Sequence, residues 1–221
     1  MSALHYPEIA PELLAYVEEH ILPQYDHFDA AHQRDHAETV IAQSMALSRH
    51  YSLKPALVFV AAACHDLGLC EGREHHHEVS ARIIRNDRHL AQWFSPEEVE
   101  TIAEAAEDHR ASAKREPRSL LGRIIAEADR LIDTDTTLRR TLQYGLSHYP
   151  ELDKEAQYER MVQHLRRKYA EGGYLRLWIP ESENAERLKH LRGVIADAVQ
   201  LRHRFEQMYA EETADHRSPR P

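Results

Sequence analysis

Apolar residues recur at helical spacing along nearly the whole chain. Residues 8–20 carry Ile9, Leu13, Leu14 and Val17 on one stripe and predict a first helix, ended by Pro23. A polar connector, QYDHFDAAHQRD, leads to a second helix near 35–50 with Ala37, Val40, Ile41, Met45 and Leu47 inward. Pro55 takes a first-turn position in a third helix, about 55–66. That helix is apolar almost all round, as buried helices are, and Gly68 breaks it. A fourth helix covers about 75–86. Ser95-Pro96-Glu97-Glu98 then opens a fifth, with a Ser cap, Pro in the first turn and Glu three residues after the cap. Its stripe of Val99, Ile102 and Ala106 continues to His109, and after the connector ASAKREPRS a sixth helix runs from about 119 to 133.

Beyond residue 140 the pattern predicts a helix over about 153–171 and a stop at Gly172-Gly173. A short aromatic extended piece, YLRLWIP, and a long helix over about 183–211 follow. No repeat and no linker interrupts the pattern. The expected fold class is therefore all-α: a helical bundle over 1–140, a C-terminal helical extension over 141–221 packed on it, and a disordered tail from about 213.

Composition narrows the function. The 221 residues suffice for one substantial domain with an appended subdomain, and seven glycines are few for a β-rich or doubly wound protein. A net charge of −9 argues against general affinity for nucleic acid or anionic membranes, because the phosphate-neutralising surplus is missing. Cys64 and Cys70 make no disulfide framework, and Cys64 reads as a small core residue. The first residues lack a basic region followed by an apolar run, and no apolar stretch approaches the roughly 18 residues that span a bilayer. A cytoplasmic protein is expected. The number that needs explaining is 17 histidines.

Six of the His and Asp positions fall at helix ends or on buried stripes. His36 starts the second helix, and His65-Asp66 ends the third after eight nearly uninterrupted apolar residues. His76 begins the fourth, His109 ends the fifth on its apolar stripe, and Asp129 lies in IIAEADRLID with Ile125, Ala128 and Ile132 on its side. A buried carboxylate without a partner is costly. Imidazoles and carboxylates converging from several helices are what a metal centre in a helical bundle requires. Four His and two Asp suit one or two divalent ions of Mn, Fe, Co or Zn, with Mg allowed, and the lack of Cys ligands argues against structural zinc.

The order His36, His65-Asp66, Asp129 resembles the HD superfamily of metal-dependent phosphohydrolases, an all-helical fold named for that dipeptide. RDHAETVIAQSMALS, VAAACHDLG and RIIAEADRLID are similar to its first, second and last motifs, over roughly residues 30–135. The resemblance implies an HD-domain helical bundle with one metal held by His36, His65, Asp66 and Asp129. The added histidines resemble the binuclear branch, where a helix opening His-x-x-x-Gly-Ala brings one further ligand; here His76 is followed by Ser80-Ala81. With His109 this implies a second metal, bridged by Asp66. The gap from His65-Asp66 to His76 is shorter than usual in that branch, so His75 or His77 stays open as the ligand, and so does a mononuclear site. Leu69 stands where cyclic-di-GMP-degrading relatives carry Lys, and no Gly-Tyr-Pro motif follows.

Metal ions that acidify bound water towards ~7 leave charge building on phosphoryl oxygens, which fixed cations must meet. Between residues 110 and 140 stand eight Lys or Arg residues against five acidic ones. Arg73 is the first candidate for a substrate phosphate contact, followed by Arg110 and Arg118; the candidate catalytic residues are Asp66, Arg73 and Arg110. The expected activity is hydrolysis of a phosphoester or phosphoanhydride of a small phosphorylated molecule, a nucleotide or dinucleotide above all. The alternative is an HD-fold di-iron oxygenase acting on a polyol or phosphonate. The piece GGYLRLWIPES is a candidate lid or homodimer contact, or simple packing on the core.

Overall fold

A computed structural model describes residues 4–29, 32–113 and 115–215. Among them there is no strand, and no single helix is long and apolar enough to cross a membrane. The chain divides into two compact units, Met1–Arg130 with Leu177–Ser182, and Leu131–Arg176 with Glu183–Pro221.

The first unit holds α1 (Pro11–Tyr16), α2 (Arg34–Ser48), α3 (Pro55–Cys64), α4 (His76–Asn86), α5 (Pro96–Asp108) and α6 (Leu120–Ala128). Helix α3 is its axis. Every residue from Val58 to Cys64 is buried, which explains why the sequence there carries no polar face. Ala61, Ala62 and Ala63 let neighbouring helices come close, and α2 supplies Ala37, Val40, Ile41 and Met45 to the same core. Ile102 and Ala106 of α5 join it, with Leu121, Ile124, Ile125 and Ala128 of α6. The expected start of α5 is present as a full capping box: Glu98 N–H donates to Ser95 Oγ, and Ser95 N–H donates to the Glu98 carboxylate at 3.0 Å. The first predicted helix is broken up. It begins at Pro11 and passes through a π-helical turn (Val17–Ile21) into a 3-10 turn (Leu22–His27), which accommodates Pro23. Trp178 and Ile179 of the aromatic piece pack on this unit's core, and Trp178 N–H donates to the buried Glu127 carboxylate at 2.6 Å.

The second unit holds α7 (Thr134–His148), α8 (Lys154–Tyr169), α9 (Asn184–Ala196) and α10 (Ala198–Asp215). Helix α7 is absent from the sequence reading. Its buried stripe is written largely in threonine, with Thr134, Thr137 and Thr141 beside Leu138 and Leu142, so it carries a weak hydrophobic signal. Asp133 caps it, accepting from Thr136 N–H at 2.8 Å. The expected boundary at 140 would fall inside this helix; the units divide after Arg130 instead. The long helix expected over 183–211 is two helices, because Asp197 leaves the helical conformation and its carboxylate caps α10 through Val199 and Gln200 N–H. Residues 213–215, expected in the tail, belong to α10, and 216–221 lie outside the described residues.

Two glycines should respond to alanine in opposite directions. A Cβ on Gly193 in α9 meets nothing within 4 Å, so Gly193→Ala should raise stability by about 1 kcal/mol through helix propensity. A Cβ on Gly68 would stand 2.0 Å from the His76 carbonyl oxygen, so Gly68→Ala must displace α4. Thermal unfolding checks both, with Tm up for the first and down for the second.

Candidate metal centre

Five helix ends meet at one point. His36 lies in the first turn of α2 and His76 is the first residue of α4. His65, His109 and Asp129 are the residues that follow the last turns of α3, α5 and α6. His65 still has helical backbone angles while Asp66 does not (φ −108°, ψ 7°), so consecutive side chains can turn to the same place.

These ends also orient the rings. A helix C-terminus leaves carbonyls without intrahelical donors. His65 Nδ1 lies 2.8 Å from Ala62 O and His109 Nδ1 lies 2.5 Å from Ala106 O, each three residues back in the same last turn. His76 Nδ1 lies 2.8 Å from Arg73 O. A carbonyl can only accept, so each of these Nδ1 atoms carries a proton and Nε2 is the ring atom turned inward, free to serve a cation once its own proton is displaced.

The inward atoms form two groups around one carboxylate. Asp66 Oδ2 lies 3.6 Å from His36 Nε2 and 3.3 Å from His65 Nε2. Asp129 Oδ1 lies 3.3 Å and 3.7 Å from the same two nitrogens. On the other side, Asp66 Oδ1 lies 3.5 Å from His76 Nε2 and 3.3 Å from His109 Nε2. Within each group the donor atoms lie within 4.8 Å of one another. His65 and Asp66 are buried, whereas the Asp129 side chain is 23% exposed and opens the cluster to solvent.

The donor set fits divalent cations. His36 and His65 approach Nε2 to Nε2 at 3.3 Å, and His76 and His109 do so at 3.1 Å. Two lone pairs facing at that distance repel unless a cation or proton lies between them. The electrostatics ask for positive charge as well. Burial works to hold His65 neutral, but Asp66 and Asp129 outweigh it and raise the ring to about 10. His36 is raised against burial by the same two carboxylates. Burial would raise Asp66 too, yet the surrounding imidazoles hold it well below the usual carboxylate range, and Asp129 is likewise lowered. Burial, then neighbouring His109, pushes His76 down to about 4, keeping its lone pair available. His36 Nδ1 is buried without a hydrogen-bond partner among the described residues.

Of the three consecutive histidines only His76 enters the cluster. His75 is exposed beside Glu74 and Glu78, and His77 turns to Arg110 and Glu78. The three arginines expected at phosphate differ in placement. Arg73 is exposed, ion-paired to Asp29 at 3.2 Å, and lines a cavity of about 450 Å³ with Gln24, His27, Phe28, Asp29, Leu69 and Cys70. Arg110 donates to the Glu74 carbonyl and to Ser112 Oγ at 3.0 Å. Arg118 is committed elsewhere: its guanidinium meets buried Asp108 at 3.0 Å, Glu107 at 3.1 Å and Glu104 at 3.3 Å. Those acids precede His109 directly along α5, yet it is Arg118 that they hold.

Tyr25 escaped the sequence reading. Fully buried, it donates from its hydroxyl to Ala63 O at 2.8 Å and accepts Asp66 N–H at 3.3 Å, fixing the backbone on both sides of His65. Its one signal was an aromatic residue inside a polar connector.

The two-group geometry separates the effects of single substitutions. Asp66→Ala should remove both ions, because both groups share that carboxylate. His76→Ala or His109→Ala should leave one ion in the group of His36, His65 and Asp129. Elemental analysis of metal per chain after dialysis reads these outcomes directly.

Among family models, that of the HD domain matches residues 34–133, a stretch containing all six residues of the cluster. Neither the curated proteins nor the solved structures give a match. Residues 34–133 are thus similar to the HD domain, and their clustered His and Asp residues are consistent with that superfamily.

Proposed function

We propose that this protein is a metal-dependent phosphohydrolase that cleaves a phosphoester or phosphoanhydride of a small molecule, a nucleotide or dinucleotide above all. The observation that carries the reading is Asp66, whose two oxygens face two separate groups of imidazole and carboxylate donors. Divalent ions bound there would acidify water towards ~7 and offset charge on a phosphoryl oxygen. His36, His65, Asp66 and Asp129 would hold one, and His76 and His109 with Asp66 the other.

The chain supplies rigidity and a place for the rest of the substrate. Ring orientations set by the Ala62, Arg73 and Ala106 carbonyls need no rearrangement during reaction. Arg73 joins the two parts: its carbonyl steadies His76 while its side chain lines the cavity. An exposed ion pair such as Arg73–Asp29 contributes little, so the guanidinium can exchange Asp29 for a phosphoryl oxygen at small cost. Phe28 and Leu69 offer an apolar wall for a nucleobase. Arg110 is the second phosphate contact, and Arg118 drops out because its carboxylates already hold it. A cytoplasmic setting and a small-molecule substrate accompany this reading, and the net charge of −9 weighs against nucleic acid.

The same His and Asp donors suit a di-iron oxygenase, so the test must separate the two. Metal-stripped protein is supplied with Mn²⁺, Fe²⁺, Co²⁺ or Mg²⁺ and screened against nucleotides and phosphodiesters. Hydrolysis is expected, read as inorganic phosphate from monoesters and terminal anhydrides and as the monoester product from diesters, lost in Asp66→Ala, and with KM raised about tenfold in Arg73→Ala on loss of one charge-assisted contact. Two irons per chain, O₂ uptake on a polyol or phosphonate and no hydrolysis of any phosphoester or phosphoanhydride would overturn the hydrolase reading.

A further inference from the structure

Residues 67–75 are all that separate Asp66 from His76, yet both side chains reach the same point. The segment turns twice. A 3-10 turn (Leu67–Glu71) follows Asp66 directly, and Gly72, at φ +100°, reverses the chain before α4 begins. Helix α4 then returns onto the turn it came from. A Cβ on Gly68 would stand 2.0 Å from the His76 carbonyl oxygen and 2.6 Å from Ser80 N, so the first turn of α4 lies against bare backbone.

A buried hydrogen bond ties that contact together. Gly68 N–H donates to Ser80 Oγ at 2.9 Å, and Ser80 is fully buried. Gly68 is two residues past Asp66, and Ser80 is four past His76 on the same face of α4. The hydroxyl therefore links the backbone carrying the shared carboxylate to the helix carrying His76. The Arg73 carbonyl sets the rotation of the His76 ring but not the position of its helix.

We propose that Ser80 is a positioning residue for the second ion, setting the separation of Asp66 Oδ1 and His76 Nε2 through Gly68; this rests on the two-ion reading of the centre. His36, His65 and Asp129 belong to the ends of α2, α3 and α6, which Ser80 does not hold, and Asp66 keeps its own tie to the end of α3 through Tyr25, which accepts its N–H at 3.3 Å. Its removal therefore acts on one ion site and spares the other. Lost outer hydrogen bonds of this kind lower metal affinity by about 10–100-fold.

Calorimetric titration of metal-free protein with Mn²⁺ alone reads both sites without any turnover, with circular dichroism and thermal unfolding reporting the fold. Ser80→Ala should weaken the second ion by about 10–100-fold while the first stays within about twofold. Ser80→Thr, which keeps the hydroxyl, should restore much of the loss and covers the case in which the alanine variant folds poorly. Equal weakening of both sites, or unchanged binding of both, in folded Ser80→Ala would overturn the proposal alone. A wild-type chain that binds a single ion would overturn it together with the two-ion reading, and leaves phosphate release as a separate measurement.

Discussion

Asp66 stands just past the most apolar helix of the chain and Asp129 at the end of α6, and where they meet their charge must be balanced. Burying an ionised carboxylate costs several kcal/mol even after relaxation, so it persists only with partners that return that energy. Four imidazoles surround the pair, and their inward nitrogens crowd to 3.1 Å and 3.3 Å. Such a cluster is stable when positive charge occupies its middle. Much of the first unit follows from that demand: α3 is apolar on all sides because it is the rigid post on which His65 and Asp66 stand, and α2, α4, α5 and α6 each bring an end to meet it.

Helix termini suit this purpose physically. The carbonyls that a C-terminus leaves unpaired become acceptors for the outer ring nitrogens of His65 and His109. The same groups that would otherwise need water thus fix both the tautomer and the direction of the ligands. Tyr25 and Ser80 extend the principle one layer outward by holding the backbone next to Asp66. Precision at the centre comes from buried, packed elements, while the Asp129 side chain stays partly exposed and Arg73, whose carbonyl meets His76, lines a cavity.

Much of this was legible in the sequence for physical reasons. An ionisable pair closing an apolar run, and a His and an Asp standing on apolar stripes, are expensive arrangements that need a cause. That cost made the cluster visible before its geometry. Direction was harder: three consecutive histidines point three ways, and only backbone coordinates show that His76 is the one turned inward. Arg118 shows a further limit. Counting cations finds a local surplus but not which of them already have carboxylates, and Asp108 had claimed this one. Helix α7 was missed because its inward face uses threonine, whose polarity hides the period, and the single helix expected over 183–211 hid the cap at Asp197. Tyr25 and Ser80 act through hydrogen bonds to residues well separated along the chain, which no local pattern encodes.

The most direct measurement is anomalous X-ray diffraction at the metal absorption edge from crystals grown with Mn²⁺ or Co²⁺. Two peaks are predicted, one on each side of the Asp66 carboxylate. One should lie at about 2.0–2.2 Å from donor atoms of His36, His65 and Asp129, and the other at similar distance from His76 and His109. Ions found away from Asp66, or no ordered ion among these six residues at saturating metal, would contradict the central claim.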